Sequence, residues 1–554
     1  MSSGNKSRMD LNEFEMKFSG KALHPFLIAA YPVLALAANN AQEIPPSQAW
    51  RSLLLTEIVV LLILVLFQWV YHSWQKSGIL SSTLILIFFS YGHIYAIIED
   101  FNIAGFNIGR HRYLLLICAG LAMGTIWILR KIESQRLRDI TKSFNRIGLL
   151  VLIFPFLSLI VFGFRTRDFD SSFSPNSESS DLHFVIEGDL PDIYYIILDS
   201  YGREDILRDF YGIDNSGFIE ALKQRGFYIA DQSAPNHVAT AFSLASSLNM
   251  NYVQDLGIEF PPGTYPGPLV DPIRNSIVRA ELESLGYSVV ALTSGWATTT
   301  LIDADYFLSP DMLTSESGYE FEEYWLNDFE RLLLETTILL VPIDYVEHEV
   351  VRNNLRELAN FSGWEGHRRI VLAAFEHLKT IPNIQGPKFI FAHIISPHRP
   401  YLFDSEGNRV IQSGPTTLDD LGSTIAPKDE VSYYADQMMY INTLTLETID
   451  TILATSPRKP VIILQSDTGP AFDLDWAQPD PINLLTKIAM LSAFYFPDGC
   501  DSNLYSQISP VNIFRVLFNC YFGGNYELLV DRTYFTDHHS KTEYQFIPVE
   551  DLLH

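Results

Sequence analysis

Apolar positions are distributed in two different ways along this chain. Before about Phe164 they form five long stretches, near Pro25–Ala38, Ser52–Tyr71, Ile79–Ile98, Tyr113–Leu129 and Ile147–Phe164. Crossing a bilayer as a helix takes roughly 20 such residues. The pattern therefore predicts a multi-span α-helical membrane domain over 1–164. The first stretch is short and holds Pro32, so a re-entrant or interfacial helix is the alternative there.

Residues 165–190 then turn rich in Ser, Asp and Asn and predict a polar tether. From 191 to 554 short apolar runs alternate with helical periodicity. Ile193–Leu198, Phe227–Ala230, Tyr287–Leu292, Lys388–Ile394, Val461–Leu464 and Ile488–Phe496 read as strands buried on both faces. Asn215–Gln224, Thr240–Met250, Pro272–Leu285, Phe321–Leu339, His367–Leu378, Lys428–Ala454 and Val511–Phe518 read as helices. The fold class is thus α/β, a mostly parallel sheet flanked by helices. Glu320–Leu340 and Tyr433–Tyr440 either line a groove or pack in a core.

Charge orients this layout. Lys6, Arg8, Lys17 and Lys21 precede the first stretch, and Arg130, Lys131, Arg136, Arg138, Lys142 and Arg146 crowd the fourth connection. By the positive-inside rule these segments are cytoplasmic, and five spans place everything after Phe164 outside the cell membrane. The stretches begin after a polar start and are too many for a cleaved signal. The formal charge of −27 argues against nucleic acid as a partner. Of three cysteines, Cys118 lies in an apolar stretch, while Cys500 and Cys520 either pair or remain core thiols. Glu57, inside a stretch, is either functional or bonded to a neighbouring helix.

In an open α/β sheet, ligands bind beyond the carboxyl ends of the strands. Three strand ends carry polar groups here: Ile197-Leu-Asp-Ser-Tyr-Gly-Arg203, Phe391-Ala-His-Ile-Ile-Ser-Pro-His-Arg-Pro-Tyr401 and Leu464-Gln-Ser-Asp-Thr-Gly-Pro470. Asp199 and Asp467 each end an apolar strand, where an acid must cap a helix, meet water or hold a cation. Thr240 opens a helix after Pro235-Asn-His-Val-Ala, either as an N-cap or as a hydroxyl at an anion-favouring helix start.

These segments, with Thr240-Ala-Phe-Ser-Leu-Ala-Ser-Ser-Leu-Asn-Met250, resemble the sulfatase-like, lipoteichoic-acid-synthase-like membrane proteins of the alkaline phosphatase superfamily. The resemblance runs from about Pro191 to the C-terminus and extends to the membrane anchor. It implies an alkaline-phosphatase-like fold and a divalent cation (Mn, Mg, Ca or Zn) on Asp199, Thr240, Asp467 and the residue at 468. It further implies Thr240 as covalent nucleophile, and His398, with His393 and Arg203, as substrate-binding residues. The implied reaction is transfer or hydrolysis of phosphate or sulfate esters of phospholipid, lipid-linked or cell-surface glycan substrates in the cell envelope.

One position departs from the family. Where Ser-Asp-His-Gly is usual, this chain reads Ser466-Asp467-Thr468-Gly469, so an imidazole ligand is replaced by a neutral hydroxyl. His237 and the Asp537-His-His539 cluster are candidate replacements. Two functions follow: a metal-dependent transferase or hydrolase, or a catalytically inactive scaffold or binding protein in envelope polymer assembly. A transporter has little support, since the spans hold few ionisable groups.

Overall fold

The computed structural model describes residues 21–41, 46–98, 102–103, 106–107, 109–167, 190–310, 326, 328–343, 345, 363–410, 427–470, 472, 474–538, 540 and 543–553. The chain forms two compact units, Met1–Gly163 with Trp325–Phe361, and Phe164–Tyr324 with Ser362–His554. Most of the expected tether, with Glu99, Asp100 and His539, lies outside the described residues.

The first unit is built on α1 (His24–Asn39), α2 (Ala49–Tyr71), α3 (Trp74–Ile98), α4 (His111–Lys131) and α5 (Ser134–Arg167). Four segments are long and apolar enough to cross a membrane: Pro46–Tyr71, Trp74–Ile98, His111–Lys131 and Ser134–Gly163. The fifth, α1, has 16 residues with Pro32 inside. Leu62, Leu116 and Leu150 stand exposed on these helices, as lipid-facing side chains do.

Part of the chain beyond the fifth helix returns to this unit. Helix α6 (Asp328–Glu335) buries Phe329 and Leu333 against Ala29, Val33, Val60, Ile85 and Phe89, and Arg51 pairs with Glu330. At α3 the Gly92 N–H donates to Thr336 O at 3.0 Å, and Phe88 O accepts from the Ile338 N–H at 2.9 Å. A regular helix would join those two groups of α3 to each other. A Cβ on Gly92 would lie 2.2 Å from Glu335 O, so only glycine admits this approach. The continuous domain expected over 191–554 is therefore interrupted, and the Glu320–Leu340 region supplies packing to the membrane unit as far as it is described. The pattern alone could not show this, because an amphipathic helix reads the same whichever unit receives its apolar face.

The second unit carries a seven-stranded sheet of β1 (Ile193–Leu198), β2 (Tyr228–Ile229), β3 (Ser288–Leu292), β4 (Tyr306–Leu308), β5 (Lys388–Ile394), β6 (Val461–Gln465) and β7 (Ser492–Tyr495). Their order is β2-β7-β6-β1-β5-β3-β4. β1 pairs in parallel with both β5 and β6, whereas β7 runs antiparallel to β6 and β2. The expected sheet is present, made mixed by one strand. β4, three residues long, was too short for periodicity to reveal.

Side chains of β1 explain its unbroken apolar run. Ile193, Tyr195 and Ile197 enter one core with α7 (Thr240–Leu248) and α10 (Pro510–Phe522), while Tyr194, Ile196 and Leu198 enter the other with α8 (Gly363–Thr380) and α9 (Pro427–Thr455). A strand covered on both faces has no polar side. Cys500 and Cys520 form a disulfide, with Cα atoms 5.9 Å apart.

Candidate functional site

Parallel pairing of β1 with β5 and β6 brings three strand ends together. Asp199 extends the sheet one step, its N–H donating to Ile394 O at 3.0 Å. Ser200 then takes φ +58°, a left-handed conformation that costs a side-chain-bearing residue about 1–3 kcal/mol. That turn aims the Ser200 N–H at Asp467 Oδ1, 3.0 Å away, while the Ser200 hydroxyl donates to Asp199 Oδ1 at 3.0 Å. The two buried acids thus meet around one residue. Nothing in the residue pattern singled Ser200 out.

Thr240 joins them through its Oγ1, which donates to Asp467 Oδ2 at 2.6 Å. It is the first residue of α7, after the cap position Ala239, and makes no capping bond. The N-cap reading therefore falls. Neither acid caps a helix: the helix after Asp199 begins beyond Arg203, and the one after Asp467 is capped by Asp480. The Ser243 hydroxyl fixes the turn by donating to Asp467 O at 2.8 Å.

His393 also belongs to the group. Its Nε2 lies 3.3 Å from Asp199 Oδ2, and its Nδ1 is 2.9 Å from the Thr299 hydroxyl, which orients the ring. His398 contributes its backbone N–H to Asp199 O at 3.0 Å, and its ring Nδ1 sits 2.6 Å from Arg399 O. Arg203 does not converge with them. Its guanidinium holds Asp205 and Ser233 O.

The electrostatics of the two carboxylates diverge. Burial resists ionisation of Asp199, but His398, His393 and Lys487 outweigh it and hold the carboxyl below the usual range. Asp467 moves the other way, because burial and the neighbouring Asp199 charge both disfavour its ionised form. Two acids sharing a dry site need a cation or a proton between them.

Thr468 is fully buried, and its Oγ1 has no hydrogen-bond partner. The expected replacements for the imaz-ole position are placed differently. His237 lies in a cage of Phe242, Tyr252, Tyr534 and Phe546, where burial lowers its pKa to about 3. It is a core histidine. His538 instead packs on Tyr265 and Trp476, with ring centroids 4.6 and 4.2 Å away. Tyr265 is close to the site, for its hydroxyl accepts from the Ala241 N–H at 3.3 Å, and burial, with a smaller push from both acids, raises its pKa.

Among the described residues, no group of three or more His, Cys, Asp or Glu side chains is arranged to hold a metal ion. What converges is an oxygen set: two carboxylates and the Thr240 hydroxyl, with an orphaned Thr468 hydroxyl beside Asp467 in sequence. That set fits a hard divalent cation better than an imidazole-rich zinc site.

No family model matches the chain, and no curated protein matches it. Among solved structures it is similar to the C-terminal periplasmic domain of EcEptC from Escherichia coli, in complex with Zn, with TM-score 0.40 and 11% identity over 67% of this chain and 96% of that one. It is similar to the integral membrane lipooligosaccharide phosphoethanolamine transferase A from Neisseria meningitidis, with TM-score 0.39 and 12% identity over 89% of this chain and 92% of that one. A 2-O GAG sulfatase follows, with TM-score 0.33 and 11% identity over 61% of this chain and 72% of that one.

Proposed function

We propose that this chain is a membrane-anchored, sulfatase-like transferase or hydrolase of the alkaline phosphatase superfamily, acting on phosphate or sulfate esters outside the cell membrane. The observation that carries the reading is the 2.6 Å hydrogen bond from the Thr240 hydroxyl to Asp467, in a site where Asp199 shares Ser200 with the same carboxylate. A threonine hydroxyl is a weak nucleophile by itself. Here it has a fixed proton acceptor, and it stands at the start of α7, the helix end that favours an anion.

A divalent cation held by Asp199, Asp467 and Thr240 would supply Lewis acidity and lower the pKa of the hydroxyl; the oxygen donors favour Mg, Mn or Ca over Zn. In the first step Thr240 Oγ1 bonds to phosphorus or sulfur as the bond to the leaving ester oxygen breaks. The hydroxyl proton passes to Asp467, and the leaving oxygen takes a proton from solvent. An acceptor hydroxyl, or water, then attacks the threonine ester and loses its proton to solvent, while Asp467 returns its proton to the departing Thr240 oxygen and restores the hydroxyl. His393, oriented by Thr299, keeps Asp199 ionised, and His398 meets the anionic group. A lipid-linked or cell-surface glycan substrate suits a chain with four helices able to cross a membrane, and the disulfide suits an oxidising compartment.

The second reading, an inactive scaffold in envelope polymer assembly, is favoured by Thr468 in place of histidine. Full-length protein in detergent, supplied with Mn or Mg, separates the two. Release of head group from an anionic phospholipid, or of chromophore from an aryl ester, is expected, and Thr240→Ala should lower it by about a thousandfold or more. No turnover, together with no bound divalent ion and no adduct on Thr240, would leave only the scaffold.

A further inference from the structure

Thr468 leaves the site without the imidazole expected beside Asp467, yet another ring nitrogen there is buried and unspent. His393 Nε2 lies 3.3 Å from Asp199 Oδ2 and makes no hydrogen bond. An ordinary N–H···O bond would be roughly 2.7–3.2 Å long.

The far side of the ring supplies a reason. After β3 the chain turns through Thr293-Ser-Gly-Trp-Ala-Thr-Thr299, and Ser294, Thr299 and His393 are all buried. The Ser294 hydroxyl accepts the Trp296 N–H and donates to Trp296 O, both at 3.1 Å. With that proton committed, the Thr299 hydroxyl donates to Ser294 Oγ at 2.8 Å and is left as an acceptor for His393 Nδ1, 2.9 Å away. Nδ1 then carries the ring proton, and Nε2 presents a bare lone pair. A lone pair and a carboxylate oxygen repel at 3.3 Å unless a cation comes between them.

We infer that His393 is a metal ligand through Nε2, taking the place of the imidazole that position 468 lacks, with Ser294 and Thr299 as the positioning residues that hold its bare nitrogen toward the site. The inference rests on the metal-dependent reading of the site and deepens it. Two ligands about 2.1 Å from one ion, at a right or tetrahedral angle, stand about 3.0–3.4 Å apart, which is the spacing of Nε2 and Asp199 Oδ2. A ligating histidine commonly donates its other ring N–H to a fixed acceptor, as Nδ1 does to Thr299. Among the described residues no three such acids and imidazoles are preset around one point, so the ion itself draws the ring in. The ordinary explanation, a buried histidine paired with an acid, accounts for the neighbourhood of Asp199 but leaves Nε2 without a bond.

The test is electron spin echo spectroscopy of Mn bound to full-length protein, with calorimetric Mn binding and ester turnover beside it. A nitrogen coupling is expected that changes when histidine is labelled with nitrogen-15, survives His237→Gln and disappears in His393→Ala. Mn affinity should fall about tenfold or more in His393→Ala and in Thr299→Val, and Thr299→Ser should restore most of it. If the wild type binds Mn and turns over ester with no nitrogen coupling, or if the coupling survives His393→Ala, the inference is overturned and the enzyme reading stands. Coupling from His393 without turnover would uphold the ligand and remove the enzyme. If His393→Ala unfolds, His393→Gln is read in its place by the same criterion. A wild type that neither binds Mn nor turns over ester overturns both.

Discussion

The two ends of β1 treat buried charge in opposite ways. At its start, Asp192 pairs with Lys388 at 2.9 Å, and the Lys388 ammonium also donates to Ile384 O and Gly386 O at 2.9 and 3.0 Å. Asp192 Oδ1 further accepts the Lys388 N–H at 3.2 Å. Every group there has a partner of opposite sign or polarity. Seven residues on, Asp199 has the His393 ring 3.3 Å away but also faces a second buried acid, joined to it through Ser200. The closed end holds the sheet together. The open end keeps like charges close in a dry place, which costs stability and makes sense only if something positive enters.

The comparison is sharpest at the closed end. Lys388→Met should strand the Asp192 charge and lower unfolding stability by about 3–5 kcal/mol, measured by denaturant titration of the full-length protein. Replacing both partners, as Lys388→Met with Asp192→Leu, should recover much of that loss. A small effect from the single change would erase the distinction between the two ends.

A third treatment of buried charge is to abandon it, as His237 does in its aromatic cage. Its pKa falls from 6.5 to about 3 through burial. Above pH 6.5 the ring is neutral folded or unfolded and pH is without effect; below it only the unfolded chain takes the proton. Stability should therefore fall with acidification, by about 2 kcal/mol between pH 7 and pH 5. Unfolding curves of His237→Gln at the same two pH values should lack this component.

The smallest effect has the opposite sign. Asp467→Asn leaves a carbonyl oxygen for the Ser200 N–H and turns an amide toward Thr240, while removing one of the two like charges. In chelator it should raise unfolding stability by about 1 kcal/mol and abolish turnover. Destabilisation instead would mean that the open end is already balanced within the protein.

Much of the architecture was legible in residue order. The strand Ile193–Leu198 and the helix beginning at Thr240 lie where periodicity put them, because a doubly covered strand must be apolar throughout and an amphipathic helix must repeat every 3.6 residues. Asp199 and Asp467 stood out because charge at the end of such a strand requires a reason. Ser200, Thr299 and Lys487 carried no such signal: a serine after an acid, a threonine in a loop and a lysine at a helix end are ordinary in any surface region.

Sequence alone determined which residues could be buried, which could span a bilayer and which acids would be costly where they stand. Only tertiary structure decided that Thr240 donates to Asp467, that His237 is core rather than ligand, and that Asp328–Glu335 packs with the membrane helices. The reason is that burial preference is a property of each side chain, whereas a contact between residues 227 positions apart depends on the crossovers that place two strand ends side by side.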